Sequence, residues 1–141
     1  MRIADVLRNK GNEVATVGPD ATVAELVGVL DEHNVGALPV VEDGRLIGIV
    51  SERDVVRRLH VEGPALLGCR VADIMSTSVT TCSPGDGVTD LARIMTTRRF
   101  RHMPVVADDA LIGIVSIGDL VKARIDQLEA EREQLQSYIA G

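Results

Sequence analysis

Tryptophan is absent from this 141-residue chain, which holds one phenylalanine and one tyrosine. Proteins that bind single strands stack bases on aromatic rings, and no such platform exists here. A formal net charge of −6 removes the basic footprint of a dedicated nucleic-acid binder as well. No apolar run approaches the ~18 residues of a membrane span. The first residues, MRIADVLRNKG, hold no apolar signal segment, so a cytoplasmic protein that contacts neither nucleic acid nor membrane is expected. Cys69 and Cys82 form neither a C-x-x-C pair nor a disulfide framework, and read as small apolar fillers. Enzyme signatures are missing too: there is no phosphate-binding G-x-x-x-x-G-K-[ST] or G-x-G-x-x-G loop and no nucleophile elbow. His33, His60 and His102 lack metal-ligand spacing. No catalytic residue, metal or catalytic cofactor is expected.

What the chain does have is a repeat. Residues 14–59 align without a gap on 79–124 at a constant offset of 65, with 17 of 46 positions identical. The densest match, PVV-x-D-x-x-LIGIVS-x-x-D, occurs at 39–54 and again at 104–119. The lead-ins also match, RIADVL at 2–7 against RVADIM at 70–75, but 68 apart, so the first carries three extra residues. A repeat of this length places any site twice. Each copy alone is near the size at which a core is marginal, so the halves are expected to fold together.

Within each copy the hydrophobic period changes. Residues 14–17 form a β-like run that stops at Gly18-Pro19. Thr22-Val23-Ala24-Glu25 is a capping box, and Val23, Leu26, Val27 and Leu30 follow at helical spacing, predicting a helix to near Asn34. In the second copy Gly87 and Asp90 take the cap and N3 positions. Two strands follow, 37–42 and 45–51, around the hairpin signal Asp43-Gly44; Asp108-Asp109 replaces it in the second copy. The runs at 47–50 and 112–115 read as strands buried on both faces, each with a glycine that lets a backbone or ligand approach. Second helices start after Ser51 and Ser116. The fold class is therefore α/β, two β-α-β-β-α repeats. The last helix is expected to run on to about Ile139, with Val121, Ile125, Leu128, Leu135 and Ile139 as a seam broken at Arg132. Such a seam needs a partner, and homodimer packing is favoured over folding back.

Ser51-Glu52-Arg53-Asp54 and Ser116-Ile117-Gly118-Asp119 bear two compatible readings. S-x-x-D is a helix N-cap with an acidic N3 residue that suits the macrodipole. It also stands at a strand end, where open α/β sheets bind ligands, and a helix start there offers amides to an anion. An aspartate at N3 can accept from a sugar diol.

These stretches, with VATVGPDATVAEL, GALPVVEDGRLIGIVSERD and RHMPVVADDALIGIVSIGD, resemble the CBS motif named for cystathionine β-synthase, and the pair resembles a Bateman module. The resemblance implies a first repeat at 1–62, a linker at 63–69, a second repeat at 70–125 and a helical extension at 126–141, with a pseudo-twofold axis between repeats. It further implies inter-repeat clefts for an adenosine compound (AMP, ADP, ATP, NAD or S-adenosylmethionine), not alike in every member and in some empty. By the same resemblance Asp54 and Asp119 bind ribose, Ser51 and Ser116 lie beside sugar or phosphate, and Thr16 and Thr81 line the adenine or ribose. Positions before the strand meet base and phosphate; here the copies differ, Gly36-Ala37 against Arg101-His102. The small pair admits a base, whereas the basic pair suits phosphate. Arg53 is an added phosphate candidate, while Arg98 and Arg99 read as a solvated helix end. The expected function is a ligand sensor that shifts conformation or dimer geometry and is read by a partner protein. The other reading is a structural dimer with empty clefts.

Overall fold

The computed structural model describes residues 1–11 and 13–140. In chain order these form α1 (Ile3–Lys10), α2 (Val23–His33), β1 (Ala37–Glu42), β2 (Arg45–Ser51) and α3 (Glu52–Glu62). A 3₁₀ turn at Gly63–Gly68 leads to α4 (Val71–Ile74), α5 (Val88–Arg98), β3 (His102–Ala107), β4 (Ala110–Ser116) and α6 (Ile117–Ala140). The chain divides into two compact units. One, called here the Asp54 unit, comprises residues 13–80 with 108–111. The other, the Asp119 unit, takes the N-terminal segment with 81–107 and the chain from 112 onward. The units thus differ from the repeats: each lead-in helix is packed in the unit built mainly from the other copy.

In the Asp54 unit the capping box forms at α2. The Thr22 amide donates to the Glu25 carboxylate at 3.3 Å and the Glu25 amide to Thr22 Oγ1 at 3.1 Å, a cap worth about 1 kcal/mol. The helix ends at Asn34 in the left-handed region, and buries Val23, Leu26 and Leu30. β1 and β2 pair antiparallel with Ala37 opposite Ser51 and a register shift at Val40/Val41. Asp43 and Gly44 both have positive φ, 51° and 78°, the twist that tight hairpins need. Val71 and Ile74 of α4 complete a core with Val23, Leu26, Leu38, Val40, Val50 and Leu66. The expected strand at 14–17 contracts to a single parallel bridge, Val17 to Val40, with bonds of 3.1 and 2.9 Å. The segment 63–69 is more than a linker: Leu66 is fully buried.

The Asp119 unit repeats this plan with α1 in the place of α4. Ile3, Val6 and Leu7 pack with Val88, Leu91, Met95, Met103, Val105, Val115 and Leu120. In the second hairpin Asp108 and Asp109, which belong to the Asp54 unit, both take positive φ without a glycine, so the tight turn is kept at some strain. Cys82 bridges to Val105 as Val17 does to Val40.

The reading of 47–50 and 112–115 as strands buried on both faces is corrected. Gly48 and Val50 are buried but Ile47 and Ile49 are half-buried, and Ile112 is exposed. The cause is sheet size: each sheet has two strands, and its core face alone is closed. α6 extends through 24 residues, of which only Leu120 is buried; Val121, Ile125, Leu128, Leu135, Tyr138 and Ile139 are exposed. No helix among the described residues is long and apolar enough to cross a membrane.

Candidate functional site

Each candidate site stands where a strand hands over to a helix. Ser51 ends β2 and caps α3; its amide donates to Asp54 Oδ2 at 2.8 Å and its hydroxyl reaches the same oxygen at 3.0 Å. The Asp54 amide donates back to Ser51 Oγ at 3.3 Å. The first amide of α3, that of Glu52, donates to the Gly36 carbonyl at 2.9 Å. With Ala37 opposite Ser51, residues 36, 37, 51 and 54 gather at one end of the hairpin. Thr16 is exposed beside the edge of β1, held there by the Val17 bridge, and Arg53 is exposed in the first turn of α3.

The second copy reproduces the frame. The Ser116 amide donates to Asp119 Oδ2 at 2.8 Å and the Asp119 amide to Ser116 Oγ at 3.1 Å. The Ile117 amide donates to the Arg101 carbonyl at 2.8 Å. Arg101 and Thr81 are exposed and His102 is half-buried. Arg98 lies over the Phe100 ring at 5.8 Å, so this part of the charge run is a stacked helix end.

These bonds also correct the picture of open helix amides. At both helix starts two amides that an anion would use, those of Glu52 and Asp54 and of Ile117 and Asp119, already have partners in the chain. The same aspartate-to-cap-amide bond recurs at Arg2/Asp5, 2.9 Å, and Arg70/Asp73, 3.0 Å, where no ligand is expected. Capping alone therefore accounts for the Ser-Asp pairs, and ligand chemistry has to use what the caps leave: carboxylate lone pairs.

A residue outside the motif separates the copies. Lys10, at the end of α1, sends its ammonium to Asp119 Oδ2 at 2.7 Å and to the Ile114 carbonyl at 2.8 Å. Burial works to raise the Asp119 pKa, but the Lys10 ammonium and the Ser116 amide and hydroxyl outweigh it and hold the carboxyl below its usual range. In the Asp54 unit the equivalent carbonyl, that of Ile49, accepts from the Ser76 amide at 2.9 Å, and Ser76 in turn donates nothing to Asp54. The three extra residues of the first lead-in are the reason. They carry α1 through eight residues, against four in α4, and Lys10 lies within that addition. Its signal was in the sequence, in the change of offset from 65 to 68. A groove of about 310 Å³ opens beside the pair, lined also by Asn9, Lys122 and Asp126. Among the described residues no group of His, Cys, Asp and Glu side chains is arranged to hold a metal ion.

With this doubled strand-to-helix frame in view, the family model for the CBS domain matches residues 3–61 and 71–126. The chain belongs to the CBS-domain family. It is 38% identical over 148 residues to the CBS domain-containing protein CBSX3, mitochondrial, of Arabidopsis thaliana, covering 99% of this chain and 72% of that one. The crystal structure of the CBS-domain containing protein ATU1752 from Agrobacterium tumefaciens superposes with a TM-score of 0.85 at 42% identity, over 88% of this chain and 99% of that one. At 21% identity the fold also matches the CBS domain pair of protein MJ0100, crystallised in complex with 5′-methylthioadenosine and S-adenosyl-L-methionine, with a TM-score of 0.75 over 90% of this chain and 98% of that one.

Proposed function

We propose that this protein is a non-catalytic regulatory module that binds an adenosine nucleotide at the strand-to-helix frame of Ser51 and Asp54, and signals by shifting its conformation. The observation that carries the reading is the half-buried Asp54 carboxylate. Its Oδ2 takes up the Ser51 donors, leaving Oδ1 as an acceptor for a ribose hydroxyl beside the small residues Gly36 and Ala37. The same fold in MJ0100 holds adenosine compounds, which supports the ligand class. Thr16 lines the base or sugar in this reading, and Arg53 meets phosphate. Ser116, Asp119, Thr81, Arg101 and His102 form the corresponding set in the other unit. A ligand moves such a protein only through different affinity for two states.

The exposed stripe of α6 is the proposed homodimer contact and the surface read by a regulated partner. Truncation after Arg124 removes Ile125, Leu128, Leu135 and Ile139, and is expected to weaken self-association in analytical ultracentrifugation. A second reading, a structural CBS dimer without ligand, is favoured by the internally satisfied helix starts. Calorimetric titration with AMP, ATP, NAD and S-adenosylmethionine separates the two. Binding of at least one, lost in the Asp54→Ala, Asp119→Ala double variant, is the expected result. Absence of binding to all four, or binding indifferent to the double substitution, leaves the structural reading.

A further inference from the structure

We propose that Lys10 neutralises the Asp119 carboxylate, so that the Asp119 site is the weaker acceptor for the ribose of an adenosine ligand and the Asp54 site fills first. The proposal deepens the adenosine-binding reading above and rests on it. Asp119 Oδ2 accepts from both the Ser116 amide and the Lys10 ammonium, at 2.8 and 2.7 Å. An ammonium-to-carboxylate bond is a charge-assisted contact, about twice as strong as one between neutral groups. A carboxylate whose charge is already met in this way is a weaker acceptor at Oδ1, the oxygen it leaves for a ribose hydroxyl. The Lys10 and Asp119 side chains are 36% and 27% exposed, so the pair is shielded in part and salt screens it in part.

Lys10 is also held from its other side. The Ile114 carbonyl, at 2.8 Å, fixes the ammonium at the strand end, so occupancy of Asp119 does not depend on one bond. A groove of about 310 Å³ lies beside the same pair. Lys122 and Asp126, which also line it, are the other charged groups beside the pair. In the Asp54 unit the matching carbonyl is closed by the Ser76 backbone, which brings no charge to Asp54. The sites therefore share ribose chemistry and differ in whether the carboxylate is already engaged.

The test titrates AMP into the full chain and its variants and reads affinity at each site. Lys10→Met is expected to strengthen the weaker site by about tenfold and leave the stronger one unchanged. Adding Asp119→Asn should cancel that gain, and Lys10→Arg should keep the wild-type inequality. Lys10→Gln, which retains a donor for the Ile114 carbonyl without the charge, guards against loss of folding and should also strengthen the weaker site. If Lys10 is only a structural latch, these variants lower the melting temperature and leave both affinities in place, which overturns the proposal. Two equal sites in the wild type overturn it as well, while the adenosine reading stands. No AMP binding by any form overturns the proposal; failure with ATP, NAD and S-adenosylmethionine too overturns the adenosine reading with it.

Discussion

The two units answer one structural question in different ways. In each, a carbonyl at the end of the second hairpin strand needs a donor from the lead-in segment. The Asp54 unit supplies a backbone amide, Ser76 to Ile49, and the Asp119 unit supplies a side-chain ammonium, Lys10 to Ile114. The first solution brings main chain against the strand and no charge. The second brings a helix one turn longer and a cation that also engages the Asp119 carboxylate. A three-residue difference in a lead-in thus becomes a difference in electrostatics at a site more than a hundred residues away in sequence.

The largest expected effect that probes this contrast is steric. A Cβ on Gly48 would lie 2.9 Å from the Ser76 carbonyl oxygen and from Met75 Sδ, whereas one on Gly113 would meet the Leu7 side chain, with Cδ2 at 2.6 Å. Backbone yields less readily than a leucine methyl. Gly48→Ala is expected to destabilise by about 3 kcal/mol and Gly113→Ala by about 1 kcal/mol, measured by urea unfolding. Equal costs would break the distinction between a backbone and a side-chain closure.

Ligand binding gives the next effect. On the proposed function, Asp54→Ala is expected to weaken the tighter of two adenosine sites about tenfold or more, the scale of one hydrogen bond to a charged group. Asp119→Ala should leave that site alone. Fluorescence competition with a labelled adenosine nucleotide would show it, and the reverse order would mean that the engaged carboxylate is the better site.

Helix capping sharpens the comparison at smaller scale. Thr22→Ala removes a side-chain cap and is expected to cost about 1 kcal/mol, and Thr22→Gly a few tenths; the helix of the other copy starts from Gly87 at that position. Thermal melts of the two variants check it; equal losses would show that the cap contributes through packing instead.

Two pH effects are smaller again. The Asp119 pKa is depressed on folding, so its contribution is present above the unfolded value, near 3.8, and is lost as pH falls through the lower folded value. Stability in acid should therefore decline less steeply below pH 4 once Lys10→Met weakens the pair. Burial, with some help from Asp86, pushes the Cys82 thiol up to about 12. Its contribution is whole below the unfolded value near 9 and fades between 9 and 12. Iodoacetamide at pH 8 should label the half-buried Cys69 and spare the buried Cys82; prompt labelling of both would mean that the Asp119 unit opens locally.

Local chemistry was legible in the sequence. The Thr22/Glu25 box, the Asp43-Gly44 turn, the Ser-x-x-Asp helix starts and the long last helix all follow from neighbours within four residues, and they appear where expected. The doubling of the strand-to-helix frame followed from the repeat. What escaped depends on distance. Leu66 sits among Gly and Pro signals that read as a linker, yet a long-range core covers it. The strand at 14–17 meets β1 at one bridge alone, Val17 to Val40, and forms no longer ladder. Burial of both faces at 47–50 and 112–115 required a wider sheet than two strands. Lys10 was missed because no pattern around it says which carboxylate, 109 positions away, it will meet.

The most direct test of the account is the binding stoichiometry of the unaltered chain, measured by equilibrium dialysis across a wide range of AMP concentration. The account predicts one nucleotide per chain at low concentration, and a second only at roughly tenfold or higher concentration. Two nucleotides per chain bound with one affinity, or none at any concentration, would contradict it.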